Sequence, residues 1–403
     1  MYPRLWILWF SIAAGAASAL TAVPAIAESV GGQTESQTER HHFRGFLPLT
    51  SFYSTPTPLP RGQPGELIRA AEFDEYQLPE GVSASRILYH SRSASGKDVA
   101  ASGVVLTPDQ APPAGGWPII AWAHGFTGIA RLCAPSLMRN LNEGPFLAMY
   151  VKLGYAVVAT DYTGLGTNFK NASIDMQSDA GDVIYSIAAA RAAAPQLGRK
   201  WVAMGESAGG LAALTVAELE SDIRDPDYLG SIAISGIADA KEFYELSAKD
   251  TLPALLVVLA YEIQSLYPQF QTNQMLTEKG LAFYSQLEKA CVVRSRDPDT
   301  IAAPVLKPGW KEDSVVERFL ARNTIGQKPA YRPLLVVSSD ADPAVRTGMT
   351  ARAVARLCRQ RDVVQFRGYQ SSEFASVLGD SVRDQLTWIQ ARFAGRPASS
   401  NCH

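Results

Sequence analysis

The pentapeptide Gly205-Glu206-Ser207-Ala208-Gly209 constrains this chain more than any other feature, because it stands between the apolar run WVAM (201–204) and the helix-spaced stretch Leu211 to Leu219. A serine flanked by small residues at a strand-to-helix junction marks a turn so tight that only glycines leave room for it. The turn lifts the serine hydroxyl above the end of the sheet. There the N-terminus of the following helix favours negative charge as it develops. A tight turn with an incidental serine is the bland alternative, and the strand before and the helix after weigh against it.

The rest of the chain carries the same alternation of strands and helices. Arg86 to Ser91 and Val99 to Leu106 read as an opening antiparallel pair, and PIIAWA (118–123), YAVVAT (155–160), SIAIS (231–235), PLLVVS (333–338) and VVQF (363–366) read as buried strands. Helical spacing runs over Asp179 to Ala193 and Asp380 to Phe393. These runs predict an α/β fold, with a mostly parallel central sheet and helices on both faces. Between SIAIS and PLLVVS lie about a hundred residues rich in helix formers and large apolar side chains, such as LPALLVVLAYEI. So long an interval is not loop. It predicts a helical cap or lid over 237–325, inserted into a core of 46–236 and 326–403.

Charge and the termini narrow the class. Lys plus Arg number 37 and Asp plus Glu 39, and no segment gathers an excess of basic residues, so a nucleic-acid partner is not expected. Arg4, the apolar core LWILWF and the A-x-A pattern Ala25-Ile26-Ala27 read as a signal peptide over 1–27, cleaved before Glu28. Export to the periplasm or beyond the cell is the expected outcome. No later stretch is apolar enough to span a membrane, so no stable insertion is expected after cleavage. Residues 28–45 are polar and lack an apolar period, which reads as a flexible linker. Cys133, Cys291, Cys358 and Cys402 suit two disulfides, with three connectivities open on count alone. None forms a C-x-x-C pair and the five histidines show no ligand spacing with them, so no metal is expected, nor an organic cofactor.

Two further elements belong with the serine. The loop Trp122-Ala123-His124-Gly125-Phe126-Thr127-Gly128 follows a predicted strand, and its Phe126 N–H, together with that of Ala208, would form an oxyanion hole. The His124 ring itself reads as a hydrogen-bonded loop residue. In SSDADPAV, after PLLVVS, Asp342 is the candidate acid, Asp340 the competitor and a turn before Pro343 the bland alternative.

From about Leu47 to Phe393 the chain resembles the secretory lipases, the α/β-hydrolases that include the lidded lipase A type. The resemblance rests on GQPGELIR (62–69), WAHGFTG (122–128), CAPS (133–136), DYTGLGT (161–167) and RNTIG (322–326), together with the serine pentapeptide. It implies an α/β-hydrolase fold, hydrolysis of acyl or triacylglycerol-type esters in lipid breakdown, Ser207 as nucleophile, Asp342 as acid and a lid over an acyl pocket. Pairings Cys133–Cys291 and Cys358–Cys402 are expected, since Cys133 follows the His-Gly loop, Cys291 lies in the insertion and the other two share the C-terminal part. The resemblance suggests the same. One position departs: where the family pattern Y-P-x-x-D-H-F-x-V-L puts the triad histidine, Tyr369 to Leu378 places Phe374. The only histidine after Ser207 is the terminal His403. Glu373 and His124 are the candidates for a substitute base. The sequence thus supports a serine ester hydrolase of uncommon site composition, or a noncatalytic lipid- or ester-binding protein that keeps the pocket.

Overall fold

In the computed structural model the described residues are 45–169, 175–249, 253–289, 291, 304–340, 342, 345, 347–370 and 377–402. The expected signal peptide, nearly all of the linker, and Glu373, Phe374 and His403 lie outside them.

Nine strands among the described residues build one sheet in the order β1-β2-β3-β5-β4-β6-β7-β8-β9. Their ranges are β1 Leu67–Glu72, β2 Val82–Arg92, β3 Asp98–Pro108, β4 Trp117–Ala123, β5 Ala156–Thr160, β6 Leu197–Glu206, β7 Tyr228–Ile234, β8 Leu334–Ser339 and β9 Val364–Tyr369. From β1 to the β3/β5 pair the neighbours run antiparallel, and from β5 to β9 they run parallel. The helices are α1 Gly144–Lys152, α2 Met176–Ala193, α3 Ala208–Ile223, α4 Ala240–Lys249, α5 Pro253–Leu266, α6 Thr272–Met275, α7 Glu278–Tyr284, α8 Ser314–Arg322, α9 Thr347–Arg359, α10 Val377–Asp380 and α11 Val382–Phe393.

Strand side chains alternate between two faces, and here both faces are apolar because both are covered. On β4, Ile119 and Ala121 join one buried cluster while Ile120 and Trp122 join another; on β8, Leu334 and Val336 separate from Leu335 and Val337 in the same way. The first cluster takes in α2, α3 and α9, and the second takes in α1, α10 and α11. This is why the central runs read as unbroken apolar segments in the sequence. Leu256 to Tyr261 and Ile263 of α5 and Phe319 of α8 belong to the first cluster too, so the segment inserted between β7 and β8 shares its core with the sheet.

Helix starts follow local chemistry. Asp175 caps α2 by accepting from the Ser178 N–H at 3.2 Å, and Asp313 caps α8 by accepting from Val315 N–H at 2.7 Å. Two disulfides close the described chain: Cys133–Cys291 joins the segment after β4 to the insertion, and Cys358–Cys402 joins α9 to the C-terminal segment. Both are the expected pairings. Where the insertion returns to the sheet, the Glu218 carboxylate of α3 accepts from the Gly326 N–H at 2.7 Å.

Two outcomes follow from this framework. Burial pushes the Glu218 carboxyl up to about 7, helped by Asp362 and opposed by its backbone hydrogen bonds. Glu220 and the fully buried Asp182 are raised the same way, to about 7 and about 6. A carboxyl raised on folding binds its proton more tightly in the folded chain, so its contribution is full below the unfolded value and is lost as pH rises through the folded one. Thermal unfolding should therefore occur at a lower temperature at pH 8 than at pH 5.5. Glu218→Gln should shrink that difference; an undiminished difference would contradict the assignment.

For the C-terminal disulfide, the 44-residue separation corresponds to about 4 kcal/mol by the chain-entropy relation. Urea unfolding of Cys358→Ser/Cys402→Ser should show a loss approaching that figure, and a loss below about 1 kcal/mol would mean the bond does not constrain the unfolded chain as its span implies.

Candidate active site

Parallel strands that end level with one another bring their following loops together, and the candidate residues sit at such ends. Ala123 at the end of β4 pairs with Gly205 near the end of β6, so the His124–Gly128 loop emerges beside Ser207. Ile234 of β7 pairs with Val337 of β8, and Asp342 follows that strand.

Ser207 stands between β6 and α3 with φ 57° and ψ −119°. A non-glycine residue at positive φ is strained, and the surroundings must hold it there. They do so from β7: the Ser207 N–H donates to the Ile234 carbonyl at 3.0 Å, and the Ser207 carbonyl accepts from Leu211 and Ile237 N–H groups at 3.2 and 3.3 Å. The two glycines of the pentapeptide are needed for contact rather than for flexibility. A β-carbon on Gly209 would fall 2.0 Å from the Ala123 carbonyl oxygen, and one on Gly205 would fall 2.1 Å from the Gly209 carbonyl oxygen.

The neighbouring loop is equally close. A β-carbon on Gly125 would meet Glu206 Oε2 at 2.8 Å and Ser207 Cβ at 3.5 Å. Phe126 and Ala208 line one small cavity, of about 10 Å³, with Thr127, Tyr162 and the Asp179 side chain. That is room for about one oxygen atom. A larger open cavity, of about 380 Å³, has Arg61, Glu66, Arg92 and Asp98 in its wall and a different, charged character.

His124 is bound into this loop. Its Nδ1 lies 2.6 Å from the Gly125 carbonyl oxygen and its Nε2 3.2 Å from that of Asp161, while its ring packs on Tyr162 with centroids 4.4 Å apart. The Tyr162 hydroxyl donates to the His124 carbonyl at 3.0 Å. Burial holds the imidazole below its ordinary pKa. With both nitrogens directed at backbone carbonyls, the neutral ring donates to one of them and its remaining lone pair points at the other, so the ring braces the loop and is not turned toward a serine hydroxyl.

Of the two competing acids, Asp342 is buried and Asp340 is exposed. Asp342 Oδ1 accepts from the Val345 N–H at 2.8 Å, which explains the D-x-x-V spacing as a local turn that fixes the carboxylate. Phe374 and the rest of 371–376 lie outside the described residues.

Several sequence motifs prove to be scaffold. The Asp161 carboxylate of DYTGLGT accepts from the Ser102 hydroxyl at 2.6 Å and from the Ser136 hydroxyl and N–H of CAPS at 2.5 and 2.8 Å. Asp182 accepts from Thr163 N–H and hydroxyl at 2.7 and 3.0 Å and from the Ser91 hydroxyl. In RNTIG, Arg322 donates to Asp175 at 2.7 Å and Asn323 accepts from Met176 N–H at 2.9 Å, which ties α8 to the start of α2. Sequence reasoning missed Thr127 and Asp179 as cavity residues. Thr127 lay inside a motif already singled out, but nothing in the spacing shows that α2 would bring Asp179 to it.

Among the described residues, no group of three or more His, Cys, Asp or Glu side chains could hold a metal ion. No helix among them is long and apolar enough to cross a membrane.

Known structures share this architecture. The rice cell wall degrading esterase LipA of Xanthomonas oryzae superposes with a TM-score of 0.69 at 18% identity, over 82% of this chain and 98% of its own. Candida antarctica lipase A in its closed state gives 0.72 at 16% identity, over 88% and 87%. A hydrolase of Legionella pneumophila described as putative gives 0.68 at 20% identity, over 81% and 98%. At these identities the likeness establishes the α/β fold of lipase and esterase hydrolases. No curated protein matches the sequence. The family model of the secretory lipases, however, matches residues 141–401, well over half of the chain and spanning α3, the inserted helices and the last strands, and the chain therefore belongs to that family.

Proposed function

We propose that the protein is an exported, lipase-type serine hydrolase that takes acyl esters of the triacylglycerol kind, with a site that has lost its general base. The observation that carries the proposal is Ser207 held at positive φ, beside a cavity lined by both Phe126 and Ala208. In this reading Ser207 Oγ attacks the ester carbonyl, and the Phe126 and Ala208 N–H groups receive the negative oxygen. Asp342 would orient an imidazole placed between it and the serine. The names of the similar structures, an esterase and a lipase, support ester chemistry. The insertion over 237–325 is proposed as the lid, tethered to the loop after β4 by Cys133–Cys291. Two disulfides and the N-terminal apolar segment support export.

The base is what sets the rate. By the resemblance to the family pattern, Phe374 stands where the triad histidine is expected. In subtilisin, removing the serine or the histidine costs about 2 × 10⁶ in kcat, while the remaining site keeps roughly 10³ to 10⁴ over water. Ordinary lipase turnover is therefore not expected. The same substitution favours a second reading, a noncatalytic lipid- or ester-binding protein.

Hydrolysis of short- and long-chain p-nitrophenyl esters separates the two. Slow hydrolysis abolished by Ser207→Ala supports the hydrolase; equal traces in both proteins support the binder.

Phe374→His tests the missing base directly. A positioned base contributes roughly 10² to 10⁴, so a rise of about a hundredfold or more is the expected result, and it should vanish in Phe374→His/Ser207→Ala. No gain in a folded Phe374→His protein would remove Phe374 from the histidine's place.

A further inference from the structure

The cavity beside Ser207 contains a polar group that the reading above leaves unused. Thr127 is 5% exposed, and its hydroxyl has no hydrogen-bond partner among the described residues. A buried hydroxyl in that condition has lost its water and gained nothing in exchange. Yet Thr127 lines the same small cavity as Phe126 and Ala208. Among the described residues, neither of their N–H groups takes part in the backbone hydrogen bonds that close the turns and loops. The three residues that carry these two backbone donors and this hydroxyl thus line a space the size of one oxygen atom.

We propose that Thr127 Oγ1 is a third hydrogen-bond donor to the oxygen that becomes negative when Ser207 attacks. The inference rests on the Ser207 reading and adds a catalytic residue to it. A planar ester carbonyl offers two lone pairs, which the two N–H groups can occupy. The tetrahedral oxyanion offers a third. A donor engaged only by that third pair stabilises the transition state and leaves ground-state binding alone, so its contribution appears in kcat and not in KM. Threonine suits the task, since its branched side chain is stiff about χ1 and keeps the hydroxyl in place. Asp179, the acidic wall of the cavity, accepts hydrogen bonds in its ionised form and cannot hold the oxyanion. Its presence makes one bridging water the rival occupant, bonded to both Thr127 and Asp179.

The test uses a hexyl p-nitrophenyl phosphonate and the whole protein, with Thr127→Val, which keeps the shape, and Thr127→Ser, which keeps the hydroxyl. Ser207 Oγ forms a bond to phosphorus, the bond to p-nitrophenolate breaks, the serine proton passes to solvent and the phosphoryl oxygen enters the hole. Release of one equivalent of p-nitrophenolate gives the rate, and mass spectrometry locates the adduct.

The inactivation rate constant should fall roughly 10- to 100-fold in Thr127→Val, with the half-saturating concentration within about twofold, because one lost oxyanion donor acts on this scale. Thr127→Ser should stay within about fivefold of the parent. The melting temperature of Thr127→Val should be unchanged or higher, since an unpartnered hydroxyl contributes nothing to the fold. Undiminished inactivation of Thr127→Val overturns the inference and leaves Ser207 as nucleophile. A lowered melting temperature with equal slowing in both variants assigns the hydroxyl to a bridging water, which also overturns it. Failure of the parent protein to form the Ser207 adduct overturns the hydrolase reading and this inference with it.

Discussion

Backbone against backbone, with no side chain between, is the contact on which this site depends. The first turn of α3 rests on the carbonyls of Ala123 and His124, and only glycine at 209 allows the approach. Because α3 sits so low, Ser207 is forced to turn the chain within a single residue, and its positive φ is the result. The same closeness puts the His124–Gly128 loop within van der Waals reach of Ser207. Move α3 outward by the width of a methyl group, and the serine, the loop and the cavity between them would lose their alignment together. The strain at Ser207 is sustained by β7 and by the shared core behind α3, which are among the most deeply buried parts of the molecule.

Beneath the loop after β4, the buried carboxylates act as anchors. Asp161 gathers Ser102 from β3 and Ser136 from the segment after Cys133, while Asp182 gathers Ser91 from β2 and Thr163. Each acid is paid for by several hydrogen bonds, as burial requires. Arg86 completes the arrangement by donating to the Ser136 carbonyl and packing 3.3 Å from the Phe73 ring centroid. None of the hydrogen bonds just described reaches Ser207. They make the antiparallel half of the sheet into a rigid bed for the His124–Gly128 loop, and in the proposed reaction N–H groups held still are the condition for electrostatic stabilisation.

How much of this was legible in the chain depended on burial. Strands covered on both faces announce themselves: WVAM and PIIAWA fall within β6 and β4, and PLLVVS falls within β8 except for its leading Pro333. β1 was not foreseen, because Leu67–Glu72 is a mostly exposed edge strand with no apolar alternation. Nor were α1, a nine-residue run that is apolar all round and shows no helical period, and α9, whose short apolar stripe is interrupted by Thr and Arg; both acquire meaning only against the sheet. The serine turn was readable because its chemistry is local. The Thr127 cavity was not, since it is assembled from the ends of β4, β6 and α2 and the turn after β5, which are scattered over some eighty residues of sequence.

The Cys133–Cys291 bond has a consequence for how the protein is made. Gly128, in the loop beside Ser207, packs against this bond, with Cys133 Sγ 2.7 Å and Cys291 Cα 3.1 Å from where its β-carbon would be. The partner cysteine lies 158 residues further along. During synthesis the loop therefore leaves the ribosome long before the residue that will wall it in, and in an enclosing membrane-bounded pathway it would also wait for an oxidant. Until then the sheet edge around Ser207 is a nascent surface with one side missing. Without that bond, as in a reducing compartment, the chain would carry the serine turn without the covalent wall beside Gly128.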